Sequence, residues 1–127
     1  CSRAVLPAMI SRKAGCIINI SSMWGQIGGS CEVHYSAAKG AVQGLTKALA
    51  KEVGPSGIRV NCVAPGVIRT EMNRLLDEET WTALKEETPL ECVGNAADIA
   101  NMVYFLATEE ASFITGQIIG VNGGIVI

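Results

Sequence analysis

Three short strand-like runs limit what this chain can become: Cys16 to Ser21, Arg59 to Val63 and Gln117 to Val121, with helical patterning between them. The first carries three isoleucines and is nearly continuous in apolar residues, as expected of a strand covered on both faces of a parallel sheet. Consecutive parallel strands need a long crossover, usually a helix. His34 to Val53 supplies one. It is rich in Ala, Leu and Lys and ends at Gly54-Pro55, a helix stop. Thr70 to about Glu87 predicts a second, charged helix, broken by Pro89. Asn95 predicts the cap of a third, running to Ala107, with Asp98 placed favourably for the helix dipole. Cys1 to about Arg12 has the spacing of the end of an amphipathic helix, with Pro7 tolerated at a kink or break. Strands alternating with helices make an α/β fold with a parallel sheet.

Composition narrows the function classes. The chain has 127 residues, 49% hydrophobic and 17% charged, enough for one domain with a real core. A net charge of −2, and aromatics not interleaved with basic residues, argue against nucleic-acid and anionic-membrane partners. No apolar run reaches the ~18 residues of a membrane span. Five well-separated cysteines, no Cys-x-x-Cys and one histidine argue against a metal site. They suit reduced thiols in a cytoplasmic protein, with Cys16 and Cys62 as small apolar residues.

The chemistry is carried by Ser22, Tyr35 and Lys39. Tyr35 and Lys39 are four apart, so they share a helix face. Ser22 closes the first apolar run, thirteen residues before Tyr35. A phenol, an ammonium and a hydroxyl converging at a strand end suit proton transfer to or from an oxygen on a carbon that exchanges a hydride. A free phenol has a pKa near ~10. A neighbouring ammonium favours its ionised form, and Lys39, one helical turn on, is placed to supply one. The hydroxyl stabilises charge developing on the oxygen. Ser21 competes for this role, but the spacing favours Ser22.

At IINISSMWG (Ile17 to Gly25) and HYSAAKGA (His34 to Ala41) the chain resembles the short-chain dehydrogenase/reductase family, and within it most resembles the 3-oxoacyl-acyl-carrier-protein reductases. Ile58 to Gly66 (IRVNCVAPG), Asp98-Ile99-Ala100, and Thr115-Gly116-Gln117 through Val121-Asn122-Gly123-Gly124 resemble the same family in the same order. The resemblance implies the C-terminal half of a Rossmann-type, doubly wound parallel sheet, with three strands and their crossover helices present. It implies Ser22, Tyr35 and Lys39 as catalytic residues. Tyr35, Lys39, Pro65, Gly66, Val67, Ile68 and Thr70 would contact the cofactor, NADP with NAD possible. Asn61 and Arg59 are expected to be structural. Trp81 is either core or part of a substrate lid. The family's further catalytic Asn precedes this strand, and Asn19 does not match it.

The chain opens with Cys1 rather than Met and has no Gly-x-x-x-Gly-x-Gly or Gly-x-Gly-x-x-Gly stretch, so residues 1–127 are expected to be the C-terminal portion of a longer single domain. Two departures bear on substrate. Cys92 stands where relatives often carry Arg, and Ser56 where carrier-protein reductases can show a basic residue. The expected activity is hydride transfer to a carbonyl such as a 3-oxoacyl thioester, on acyl carrier protein in the closest resemblance. Two alternatives are oxidation of a secondary alcohol and a non-catalytic oligomerisation piece. The small residues of the His34 to Val53 helix and the apolar tail Ile125-Val126-Ile127 suggest two self-complementary patches, and with the resemblance a homotetramer.

Overall fold

The computed structural model describes residues 1–127, the side chain of Met72 excepted. Its core is a parallel three-stranded sheet in the order β1 (Gly15–Ile20), β2 (Ile58–Pro65), β3 (Ile118–Val121). Gly15 pairs with Ile58 and Ile20 with Val63, while Cys62 to Pro65 pair with Ile118 to Val121. The α/β class and the three strands are as the sequence predicts. The boundaries move by one or two residues, and β2 runs on to Pro65.

Helices cover both faces. On one, α1 (Ser2–Arg12) and the long α3 (Val33–Val53) bring Leu6, Met9, Leu49, Ala50 and Val53 onto Ile17, Ile58 and Val60. On the other, α5 (Ala96–Ala107) brings Ile99, Met102, Val103 and Leu106 onto Ile18, Val63, Ile119 and Val121. Residues one or three apart along a strand point to opposite faces, which sorts Ile17 from Ile18 and Val60 from Val63.

Burial corrects one expectation. β2, with a neighbour on each side, is buried almost throughout, but β1 is only half-buried and Ile20 is exposed. β1 pairs with a strand on one edge only, so its residues stay half-buried although Ile17 and Ile18 pack against helices on opposite faces.

The charged stretch after β2 is not one helix. Glu71–Asn73 forms a short 3-10 turn, and α4 begins only at Glu78 and runs to Glu87. Asp77 decides the break. Its backbone is extended, and its carboxylate accepts the Thr80 N–H at 2.8 Å, the position of an N-cap. That hydrogen bond holds the Asp77 carboxyl below the usual carboxylate range. Asn95 caps α5 as expected, in a reciprocal box with Asp98. A short helix the sequence did not suggest, α2 (Trp24–Ile27), opens the Gly-rich loop.

Asn61 and Arg59 are structural, as expected. Asn61 bridges Ile114 O and Gln117 N, and Arg59 donates to Leu106 O and Thr108 O. Cys62 is buried inside the sheet, and that burial pushes its thiol pKa up, so it behaves as a small apolar residue. Cys16 is half-buried, its thiol donating to Leu106 O. Among the described residues no helix is long and apolar enough to cross a membrane.

Candidate active site

Parallel strands end together, and open α/β sheets take ligands at the carboxyl ends of their strands. Here β1 stays tied to β2 past its last paired residue. Ser21 N–H donates to Val63 O at 2.8 Å, and Met23 N–H to Pro65 O at 2.9 Å. Ser22 is therefore held between two anchored neighbours. The chain then turns into α2, whose Trp24 N–H donates to Ser22 Oγ at 3.2 Å. A hydroxyl that accepts from the backbone keeps its own hydrogen to donate.

The adjacent serine is different. Ser21 Oγ donates to Lys39 O at 2.9 Å and accepts from Gln43 Nε2 at 3.0 Å. Its hydroxyl is committed on both sides, which supports the preference for Ser22.

Tyr35 and Lys39 lie on one face of α3, turned toward the end of β1. Lys39 Nζ donates to Ile20 O at 3.2 Å and stands 5.5 Å from the centre of the Tyr35 ring. That is within the range at which an ammonium is attracted to an aromatic face.

All three side chains border one cavity of about 690 Å³. The same cavity is bordered by Pro65, Gly66, Val67, Ile68 and Thr70, so the residues expected to be catalytic or to contact the cofactor meet there. Val67 and Ile68 are fixed from behind. Gly94 N–H donates to Val67 O at 3.0 Å, and Asn73 Nδ2 to Ile68 O at 2.9 Å. Gly66 is needed by its own neighbour: a Cβ there would stand 2.7 Å from Asn122 Cα. That packing alone requires a glycine.

Lining residues not found from the sequence include Glu32, Asn73, Leu76, Leu84 and Ala96. Trp81 does not border the cavity. It is buried, with the Arg69 guanidinium over its ring at 4.7 Å, so it is core. Leu84, three residues on along α4, takes the cavity position instead. His34 is exposed. Among the described residues no group of His, Cys, Asp and Glu could hold a metal ion.

The family model described as enoyl-(acyl carrier protein) reductase matches residues 1–126. The chain belongs to the short-chain dehydrogenase/reductase family. It is 48% identical over 123 residues to the uncharacterized oxidoreductase YmfI of Bacillus subtilis, covering 97% of this chain and 51% of that protein. It is 44% identical over 123 residues to the 3-oxoacyl-[acyl-carrier-protein] reductase FabG of Vibrio cholerae, covering 97% of this chain and 50% of that one. A crystal structure of the 3-oxoacyl-[acyl-carrier protein] reductase from Brucella melitensis superposes with a TM-score of 0.91 at 39% identity, over 97% of this chain and 46% of that one. The chain spans about half the length of the curated relatives it matches.

Proposed function

We propose that this short-chain dehydrogenase/reductase chain carries the catalytic side of an NAD(P)H-dependent reductase that acts on a carbonyl, a 3-oxoacyl thioester in the first instance. The observation that carries the reading is the convergence of Ser22, Tyr35 and Lys39 on one cavity at the carboxyl ends of β1 and β2. The names of the FabG relatives support the substrate class.

The donor set fits the nicotinamide end of such a cofactor. Lys39 and Tyr35 offer an ammonium and a phenol, while Val67 to Thr70 form a wall at a strand end. A reduced nicotinamide held there supplies the hydride. The chain's own residues handle the oxygen. Ser22 Oγ donates a hydrogen bond to the carbonyl oxygen and stabilises the charge that builds there. Tyr35 gives its phenolic proton to the same oxygen as general acid. Lys39 places a positive charge beside the ring, where negative charge develops as the proton leaves. Trp24, Met23, Leu76 and Leu84 present apolar surface suited to an acyl chain.

This reading treats residues 1–127 as the C-terminal portion of one NAD(P)-binding domain, in a cytoplasmic enzyme. It also takes the protein as a homotetramer. Ala37, Ala41, Gly44 and Ala48 are exposed along one side of α3, and Tyr104, Phe105 and Phe113 form a second exposed apolar group after α5. The tail contributes less than its sequence suggests. Ile125 and Val126 are half-buried, and Val126 O accepts from Asn122 Nδ2.

A second reading follows from the description of the family model: reduction of a 2-enoyl rather than a 3-oxoacyl thioester. One assay separates the two. NADPH absorbance is followed: its loss with a 3-oxoacyl or a 2-enoyl thioester plus NADPH, and its rise with a secondary alcohol plus NADP. The proposal expects turnover with the 3-oxoacyl substrate and at most one-tenth of that rate with the enoyl compound. Turnover confined to the enoyl substrate would move the assignment to the second reading.

A further inference from the structure

The reductase reading explains three side chains at the cavity but not what keeps their backbones in register. Ser22 lies beyond the end of β1, whereas Tyr35 and Lys39 are on α3, thirteen and seventeen residues later. The distance between strand end and helix is set by a buried amide. The Gln43 side chain, 8% exposed, donates from Nε2 to Ser21 Oγ at 3.0 Å and to Ser22 O at 3.2 Å. Ser21 Oγ in turn donates to Lys39 O at 2.9 Å. One amide group thus ties the Ser22 carbonyl to the helix that carries Lys39, through hydrogen bonds that are buried or partly buried.

Gly25 completes the joint. A Cβ there would stand 2.7 Å from Gln43 Nε2 and 2.7 Å from the Lys39 carbonyl carbon. The turn after Ser22 therefore lies flat on α3 at the Lys39 and Gln43 positions. Trp24, in the same turn, donates the N–H that Ser22 Oγ accepts.

We propose that Gln43 is a positioning residue for the reaction: with Ser21 it fixes the strand end on α3 and so sets Ser22 against Tyr35 and Lys39. The proposal rests on the reductase reading for its catalytic consequence, but its geometric part stands apart from activity. Gln43 does not border the cavity. It acts through the backbone of Ser22 and, by way of Ser21, through that of Lys39.

The test compares Gln43→Met with Thr46→Val in the full protein. Met keeps the length of the side chain and loses both hydrogen bonds. Thr46 is also buried on α3, where it accepts from Asn19 Nδ2 and donates to Val42 O, but it bonds to neither Ser21 nor Ser22. Both variants give up buried hydrogen bonds, so both are expected to melt lower. Only Gln43→Met is expected to lower kcat, by about tenfold to a hundredfold, the scale of a small misplacement of catalytic groups. KM for the ketone is expected to stay within about twofold, and Thr46→Val to keep kcat within about twofold. Adding Ser21→Ala to Gln43→Met should cost little more, because the two belong to one network.

Amide hydrogen exchange gives a readout that needs no turnover. The Trp24 N–H should exchange at least about tenfold faster in Gln43→Met and unchanged in Thr46→Val. Equal loss of kcat in both variants, in step with their melting temperatures, would reduce Gln43 to a structural residue and overturn the proposal. Unchanged Trp24 exchange in Gln43→Met would overturn it as well. Faster exchange in a protein without reductase activity would retain the joint and reject the reductase reading instead.

Discussion

Tyr35→Phe is expected to lower kcat for carbonyl reduction by about 10²-fold to 10⁴-fold, the usual contribution of a positioned general acid. The change removes one hydroxyl and leaves the ring, so the packing of α3 against the end of β1 should persist. Tyr35 is half-buried at the cavity wall, and its ring stays available to the Lys39 ammonium 5.5 Å away. Cofactor affinity should change by no more than about threefold, and the melting temperature by a degree or two. Steady-state kinetics, a fluorescence titration with NADPH and a thermal melt check these points together. A variant that keeps kcat within a factor of two would remove Tyr35 from the chemistry.

Lys39→Met carries the second large effect. Two interactions disappear at once: the hydrogen bond from Nζ to Ile20 O, and the positive charge beside the Tyr35 ring. Met preserves most of the stem, so loss of packing contributes little. A fixed charge placed where charge develops is commonly worth about 10²-fold to 10³-fold in rate, and that is the fall expected in kcat/KM. Cofactor binding should weaken as well if Lys39 also reaches the ribose, which separates this variant from Tyr35→Phe. Lys39→Arg serves as the control that keeps the charge. It should recover only part of the activity, because a planar guanidinium cannot reproduce the point contact of an ammonium. If kcat and cofactor affinity both stay within twofold of wild type, the Tyr35 and Lys39 pair is a helix-surface contact and nothing more.

The strands, the long helix and the meeting of Ser22, Tyr35 and Lys39 at one cavity were legible because each rests on a local signal. Three isoleucines mark β1, a Tyr and a Lys one turn apart mark one face of α3, and Gly54-Pro55 marks its end. The break between Thr70 and α4 was missed although Asp77 signals it, because a run of acidic residues hides a cap among residues of like charge. The cavity wall was harder. Trp81 looked like a candidate contact and is core, while Leu84 on the same helix borders the cavity. Which of two apolar residues on one helix faces the core depends on how that helix docks, and no local pattern carries that. Gln43 was invisible for a related reason. Its partners Ser21 and Ser22 are 22 and 21 residues away in sequence, and only the docking of α3 on the end of β1 brings them together.

Transfer of an isotope tests the central claim most directly. The full protein is given a 3-oxoacyl thioester and NADPH deuterated at nicotinamide C4 on one face, then on the other, and the 3-hydroxyacyl product is analysed by mass and NMR. The account predicts one deuterium at C3 of the product with one of the two labelled cofactors and none with the other, with the oxygen-bound hydrogen drawn from solvent through Tyr35. In Tyr35→Phe the same label should arrive at the same carbon, about 10²-fold or more slowly. Product labelled at C2, equal labelling from both cofactors, or no label at C3 would contradict hydride transfer to a carbonyl held by Ser22 and Tyr35.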